Sequence, residues 1–419
     1  MQMLSDTKRK LDEILHQTGE YFKIDMSYLV KGGAWVTAGQ VISSVAAFIL
    51  SIFYANFLLP ETYGVYRYVM SILAVLTVSS LSGMPGAVTQ SVARDFEGSV
   101  TTALRVRIKW GIFGALAAFG IALYYFSNAN TELGISFLIV AGFIPFMDSL
   151  NIYDALLIGR KKFDRSSQYQ IINQLIATCM AAAAIYFTRN LYVILFAYVF
   201  SWTMLRAISY LRVIRIYKPN TNFDPSTIRF GKDLSFINIL GTVADYLDKI
   251  LIFHFIGVVP LAVYTIATAP VEQIKSLLSR NITKLALPKY AEKSTEEVKA
   301  HVYKWILRIS LGLVVITAMY AFAVPFLFDI FFRAYSGAIV YSQLFSLTII
   351  STLVFLPLTA LNAKVARKQL YSYEIISSIV QIGLLAALVS STGLLGIILA
   401  RILSSLFNVV LATLLLRKI

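Results

Sequence analysis

Nine ionisable side chains lie within stretches of the chain that are apolar enough to cross a lipid bilayer. A charge at that depth is costly, so such groups normally face a partner or a water-filled pathway. Cations there could hold an anionic group through charge-assisted hydrogen bonds, and carboxylates could take up a coupling ion. The nine residues are Asp148, Arg206, Asp245, Asp248, Lys249, Glu272, Lys275, Glu374 and Arg401.

We predict that these side chains face a central cavity and that they form its binding groups. The predicted substrate-binding cations are Lys249, Arg401, Arg206 and Lys275. The predicted cavity carboxylates, which could bind a coupling proton or sodium ion, are Asp148, Asp245, Asp248 and Glu272. We further expect Lys249 and Arg401 to point into the cavity at a similar depth. The sequence does not identify the coupling ion.

Mutual neutralisation is the competing interpretation. Asp245 and Lys249 are four residues apart, so they could pair on one helix face. Glu272 and Lys275 could pair in the same way at a spacing of three. Arg206 lies near a predicted span end, where a long cationic side chain can reach the membrane surface. Both interpretations remain open from the sequence.

The composition places these residues in an integral membrane protein. Of the 419 residues, 58% are hydrophobic and only 14% are charged, and the mean hydropathy is +0.72. We predict about twelve transmembrane helices of roughly 20 residues each, the length that spans a hydrocarbon core. Glu272 and Lys275 interrupt the eighth of these spans. The sequence has no phosphate-binding G-x-x-x-x-G-K-[ST] motif and no metal-ligand spacing, so we expect no cofactor and no metal.

Prolines inside the spans predict bends, because proline removes a helical hydrogen bond. The predicted helix kinks are at Pro145, Pro270 and Pro357. Pro145 lies in FIPF and Pro357 in FLPL, at corresponding places in the fourth and tenth spans. These paired segments predict an internal duplication.

Basic residues occur after every second predicted span. Arg160, Lys161, Lys162 and Arg165 follow the fourth span, and Arg94, Arg105 and Arg107 follow the second. The alternate connectors hold little beyond Arg67, Arg189 and Arg333. The positive-inside rule then places both termini in the cytoplasm. The net charge of +15 therefore requires no nucleic-acid partner.

The predicted organisation has three parts. Residues 1–33 form a basic cytoplasmic N-terminal segment, 34–218 an N-terminal six-helix lobe, and 219–419 a C-terminal six-helix lobe. The connectors on the side opposite the basic ones are short. They offer no acid, base or cationic groups for catalysis, so we expect the protein not to be an enzyme.

Three segments resemble the polysaccharide (O-antigen type) flippases of the multidrug/oligosaccharidyl-lipid/polysaccharide exporter superfamily. They are FLLPETYGVYRYV at 57–69, SLSGMPGAVTQSVAR at 80–94, and VVPLAVYTIATAPVEQI at 258–274 followed by LALPKYAE. The resemblance implies an all-α membrane protein with two six-helix lobes that form a V around a central cavity. It also implies alternating-access transport of an undecaprenyl-diphosphate-linked oligosaccharide across the inner (cytoplasmic) membrane.

The partners expected from this resemblance are a polyprenyl-diphosphate-linked saccharide and membrane lipid, with polysaccharide polymerase machinery as a further candidate. A drug/cation antiporter of the same superfamily is the main alternative, because the cavity carboxylates would suit a cationic drug. A membrane glycosyl-transferring enzyme is a weaker alternative, since the outer connectors are so short.

Overall fold

The computed structural model of the chain describes the backbone of residues 26–419. Side chains are described for 37–279, 286, 290, 293–390 and 392–419. Most of the predicted N-terminal segment 1–33 therefore lies outside the described residues. Its last part, 26–33, already belongs to the first helix.

The described chain folds into twelve long helical segments, α1 to α12, and contains no strand. They are α1 Met26–Phe57, α2 Pro60–Ser80 with Met84–Val92, α3 Ser99–Ser127, α4 Thr131–Gly159, α5 Phe163–Thr188, α6 Leu191–Tyr217, α7 Pro225–Leu251 with the π-helical Ile252–Ile256, α8 Val258–Glu292, α9 Thr295–Phe331, α10 Arg333–Ala363, α11 Arg367–Thr392 and α12 Leu394–Arg417.

Membrane-spanning character is strongest outside the two central helices. Within the described residues, nine of the helices are long and apolar enough to cross a membrane. Helix α2 becomes a tenth when its two halves, bent by 43°, are counted as one span. Helices α7 and α8 do not meet the same test. These two helices carry Asp245, Asp248 and Lys249, and Glu272 and Lys275, respectively.

The helices form two groups of six, α1 to α6 and α7 to α12, which meet through α1 and α2 against α7 and α8. Gly64 lies so close to the main chain of Val258 that a β-carbon there would overlap it. At the other end of α2, the Gly83 amide donates to Ser235 Oγ of α7 at 3.0 Å. Small residues thus let α2 approach the start of α8 at one end and α7 at the other.

Helical geometry changes in the middle of α4 and α10. In α4 the helix stops near Gly142 and resumes at Ile144–Met147, next to Pro145. In α10 a 3₁₀ stretch, Ser346–Val354, leads into the α-helical turn that holds Pro357. By contrast, α8 continues as one α-helix through Pro270, so the helix is not interrupted there.

The linker between the two groups of helices is attached to the first group. Glu97, between α2 and α3, accepts hydrogen bonds from Arg160 at 2.5 and 2.6 Å and from the Asn220 amide at 2.9 Å. Arg160 also donates to the Tyr217 carbonyl at 2.8 Å. The hydrogen bonds from Arg160 are the largest influence that lowers the pKa of Glu97 below its usual value. This cluster joins two basic connectors to the inter-lobe linker.

Candidate functional site

Three polar cavities adjoin one another between the two groups of helices. Their volumes are about 750, 620 and 310 Å³, and we call them the main, second and side cavities. The main and second cavities share the lining residues Arg67, Met70, Tyr198, Asp245 and Tyr246. The side cavity shares residues with both. Together they reach the size typical of ligand-binding pockets.

Arg401 is the centre of the charged network in the main cavity. Its guanidinium lies 3.6 Å from Asp248, 3.8 Å from Glu272 and 4.0 Å from Asp245. These carboxylates come from α7 and α8, so Arg401 of α12 links three helices. Arg401 has no acidic neighbour on its own helix. Its partners could therefore not be identified from spacing along the chain.

Asp248 is the most deeply buried acid of this network, with its side chain 1% exposed. It accepts a hydrogen bond from the Tyr264 hydroxyl at 2.6 Å. Its other oxygen lies 3.5 Å from Lys249 Nζ. Lys249 therefore pairs with its sequence neighbour and not with Asp245 four residues away, the partner suggested by helix spacing. Asp245 is 68% exposed to the cavity.

Glu272 and Lys275 form the pair that their spacing suggests, at 3.0 Å. Lys275 Nζ also lies 5.5 Å from the centre of the Phe345 ring. The main-cavity network of α7, α8 and α12 thus contains three predicted cations and three predicted carboxylates. Its formal charge is zero.

The second cavity contains two further predicted site residues, Arg206 and Asp148, which form an ion pair that the sequence did not indicate. Arg206 Nη1 lies 2.5 Å from Asp148 and donates to the Met147 carbonyl at 2.7 Å. Its guanidinium also packs over Trp202, 4.8 Å from the ring centre. Arg206 is 16% exposed, and it lines both the second and the side cavities. It is thus held inside the protein and does not extend along the helix to the membrane surface.

Sequence reasoning missed two arginines that line these cavities. Arg67 was assigned to a connector, but α2 begins at Pro60 and places Arg67 seven residues inside the helix, where it lines the main and second cavities. Arg107 was assigned to a basic connector, yet it lies within α3 and lines the second cavity. Proline at the first helical position is a known start signal. Pro60 is such a signal, and it places Arg67 inside the helix and not in the connector.

The three cavities together carry an excess of positive charge. Among the residues whose side chains the structure describes, the lining contains six cations, Arg67, Arg107, Arg206, Lys249, Lys275 and Arg401, and four carboxylates, Asp148, Asp245, Asp248 and Glu272. Glu374, the remaining residue of the original nine, lines none of the three. The arrangement suits an anionic ligand better than a cationic one.

Aromatic side chains provide the other notable surface of the main cavity. The ring of Tyr54 lies 5.0 Å from that of Tyr63 and 4.9 Å from that of Tyr66. The Tyr54 hydroxyl donates to that of Tyr66 at 2.7 Å. Such rings present an apolar face with polar edges. In the described part of the chain, no group of three His, Cys, Asp or Glu side chains is arranged to hold a metal ion.

Residues 53–332 match the family model described as polysaccharide biosynthesis protein. The chain belongs to the polysaccharide biosynthesis protein family. The match covers α2 to α9 completely, and therefore most of the helices that line the cavities. No curated protein matches the sequence.

Solved structures with the same fold are also found. The chain resembles the lipid II flippase MurJ in an inward closed conformation, with a TM-score of 0.72, 12% identity, and coverage of 90% of this chain and 86% of that chain. An inward-facing multidrug resistance MATE transporter of the MOP superfamily gives a TM-score of 0.69 at 12% identity, covering 90% and 95%. A MOP superfamily transporter from Pyrococcus furiosus gives 0.62 at 12%, covering 93% and 96%.

These similarities confirm the fold predicted from the sequence. The chain is an all-α, multi-pass membrane protein whose helices form two six-helix lobes around a central cavity. They also confirm the resemblance to the polysaccharide exporters of this superfamily.

Proposed function

We propose that the protein is a flippase that moves an undecaprenyl-diphosphate-linked oligosaccharide across the cytoplasmic membrane by alternating access. The observation that carries the proposal is the polar inter-lobe cavity, whose lining has six cations against four carboxylates. The family match to polysaccharide biosynthesis and the fold shared with a lipid II flippase support it. A transporter of this kind carries its substrate chemically unchanged, so no catalytic residue is required.

Lys249 and Arg401 are the proposed contacts for the diphosphate. Each lies seven residues from the helix end opposite the basic connectors, α7 ending at Ile256 and α12 beginning at Leu394. That spacing corresponds to a depth of about 10 Å. Arg401 offers a planar fork of donors that matches a phosphate in a bidentate way. Lys275 and Arg206 line the same connected space as further cations.

The carboxylates around Arg401 are the proposed site of coupling. Asp245, Asp248 and Glu272 compete for one guanidinium, so an anionic headgroup that binds Arg401 would release them. A released carboxylate in a partly dry cavity favours uptake of a proton or another cation. We propose that this exchange links substrate binding to a coupling ion, with Asp148 serving the second cavity in the same way.

The proposed orientation follows from the basic connectors. Positive residues are retained on the cytoplasmic side of bacterial-type membrane proteins, so we place both termini there and the closely packed Gly64 and Val258 at the outer side. Residues 34–218 and 219–419 are the proposed moving units. The boundary falls in the linker between Tyr217 and Pro225.

Two other functions remain as alternatives. The MATE transporter similarity favours a drug/cation antiporter, but the positive excess of the cavity lining disfavours a cationic drug. A membrane glycosyl-transferring enzyme would need acid or base groups at an accessible surface. The connector between α11 and α12 is a single glycine, Gly393, and the other outer connectors are similarly short.

The proposal is tested with the purified full-length protein in liposomes that contain a fluorescent polyprenyl-diphosphate saccharide. We expect the protein to move the lipid between leaflets, as measured by the fraction accessible to a membrane-impermeant quencher. Arg401→Gln should reduce the rate at unchanged protein level, whereas Arg105→Gln, an exposed arginine on α3, should leave it unchanged. Transport of a cationic dye by a protein that does not move the lipid would establish the antiporter instead.

A further inference from the structure

The second cavity is lined by three arginines that the charged network of the main cavity does not include. Arg67 comes from α2, Arg107 from α3 and Arg206 from α6. Each has one buried guanidinium nitrogen with no hydrogen-bond partner among the described residues, namely Arg67 Nε, Arg107 Nη1 and Arg206 Nε. Buried donors of this kind are uncommon and call for an explanation. We call these three residues the arginine cluster.

Arg107 is the most buried member, at 4% exposure. Its Nε donates to the Ser80 carbonyl at 2.8 Å, at the point where α2 breaks and Leu81 adopts a positive φ of 59°. This bond orients the guanidinium, and Nη1 is left without a protein partner. The carbonyl exposed at the break in α2 therefore provides a partner for Arg107 Nε but not for Nη1.

Arg67 is the least constrained member. Among the described residues it makes no hydrogen bond and no ion pair within 4.0 Å, although it lines both the main and the second cavity. A structural arginine of this depth would normally be paired, because an unpaired charge in the membrane interior is costly. Its position at the border between the cavities suits contact with a ligand that extends through both.

The local charges leave the cluster positive. The second cavity is lined by these three arginines and by two carboxylates, Asp148 and Asp245. Asp148 is engaged by Arg206 at 2.5 Å, and Asp245 lies nearest to Arg401 at 4.0 Å. Arg67 and Arg107 thus have no acidic partner within ion-pair distance among the described residues.

We propose that the arginine cluster is a second anion-binding subsite, and that it recognises an oxyanion carried by the saccharide itself. Resting on the proposed flippase function, this names the substrate class as an acidic oligosaccharide, bearing a carboxylate or a phosphate substituent. The diphosphate binds in the main cavity, and the acidic sugar extends past Arg67 into the second cavity. Its oxyanion contacts the guanidinium groups that line the second cavity, where Asp148 is the one described carboxylate at ion-pair distance from the three arginines.

The geometry favours a ligand over a purely structural role. A structural cluster of arginines would be compensated by carboxylates, as Arg401 is by three of them. The second cavity has a volume of about 620 Å³, within the range of ligand pockets. Charge-assisted hydrogen bonds from several guanidinium groups are the usual means of holding an oxyanion.

The test measures binding of free trisaccharides to the purified full-length protein by calorimetry. The probes are a trimer of a hexuronic acid, the same neutral trimer with one phosphate, and the unmodified neutral trimer. We expect at least one acidic probe to bind about tenfold or more tightly than the neutral trimer, equivalent to about 1.4 kcal/mol. The stronger of the two acidic probes identifies the oxyanion. Equal affinity for all three would overturn the proposal.

Variants locate the effect. Arg67→Gln removes no described protein hydrogen bond, so it should fold normally and lose the preference for the acidic probe. Arg107→Gln should also lose the preference for the acidic probe. Arg107→Lys should retain only part of that preference, because lysine lacks the planar fork of donors of arginine. Arg105→Gln, two residues away on the exposed face of α3, is the matched control. A preference retained by both Arg67→Gln and Arg107→Gln would refute the subsite.

A second titration, with a polyprenyl-diphosphate lipid that carries a neutral sugar, separates this inference from the proposed function. Arg401→Gln should weaken the binding of that lipid, whereas Arg67→Gln should leave its affinity unchanged. If Arg67→Gln abolishes binding of the neutral lipid, the cluster is the headgroup site and the proposal for an acidic sugar fails. If the wild-type protein does not bind the lipid, the flippase proposal fails, and the trisaccharide result still decides whether the subsite exists.

Discussion

The charged side chains on the two sides of the inter-lobe cavity are neutralised to different extents. On the side of α7, α8 and α12, the three described cations of the main-cavity network, Lys249, Lys275 and Arg401, each lie within 4.0 Å of a carboxylate, and this network is formally neutral. On the side of α2, α3 and α6, three arginines share one close carboxylate, Asp148, and each retains an unpartnered donor. We propose that the first arrangement stabilises the fold and exchanges a coupling ion, and that the second binds an anion from outside the chain.

The largest expected effect is on the neutral side. Asp248→Asn should lower the free energy of unfolding by about 3 to 5 kcal/mol, the usual consequence of breaking a buried ion pair. Lys249 would lose its closest acidic partner and Arg401 one of three. Thermal unfolding in detergent measures the change. Asp245→Asn is the matched control, since its carboxylate is 68% exposed, and an equally large loss there would contradict the comparison.

A smaller effect is expected at the ion pair that Arg206 of the arginine cluster forms with Asp148. Arg206→Gln removes the contact with Asp148 at 2.5 Å and the bond to the Met147 carbonyl. Both side chains are partly exposed, so we expect a loss of about 1 to 2 kcal/mol. Asp148→Asn should cost a similar amount, and the double variant should cost less than the two changes added together. Simple additivity would show that Arg206 and Asp148 do not stabilise each other.

Arg67→Gln should change the unfolding free energy by no more than about 0.5 kcal/mol, the range of substitutions that break no specific interaction. We propose that Arg67 contributes to ligand binding, so transport of a charged substrate should fall while the melting temperature stays constant. Transport rate and melting temperature are measured in parallel for Arg67→Gln and Asp248→Asn, and we expect the melting temperature to fall only in Asp248→Asn. A large loss of stability would place Arg67 among the structural charges.

An effect on the pH dependence of stability, in place of one on the cavity, is expected at the linker that joins the two lobes. The hydrogen bonds from Arg160 lower the pKa of Glu97, so the contribution of this pair is present above the ordinary glutamate pKa of about 4.3. It is lost as the pH falls through the lowered folded-state value. The melting temperature should therefore vary little between pH 7 and 5 and decline below about pH 4. Glu97→Gln should show a weaker decline, and identical profiles would exclude Glu97 as the titrating group.

Much of the architecture could be predicted from local features of the sequence. Long apolar runs predicted the helices, because a backbone in lipid must satisfy its own hydrogen bonds. The Glu272 and Lys275 pair followed from a spacing of three residues on one helix. Pro145 and Pro357 were recognised as special positions, and both lie where helical geometry changes. The match of residues 53–332 to the polysaccharide biosynthesis family agrees with the segments that carried the resemblance.

The partners of the central charges were decided only by the tertiary structure. Arg401 lies at ion-pair distance from acids that precede it in the sequence by more than a hundred residues. Lys249 pairs with Asp248, whereas helix spacing suggested Asp245 as its partner. The depth of Arg67 depended on where α2 begins, since a shift of a few residues moves a side chain from a connector into the cavity. Sequence alone thus determined that charges lie within the membrane spans. Which of them are neutralised and which remain available was set by packing between helices, because ion pairing depends on distance in space.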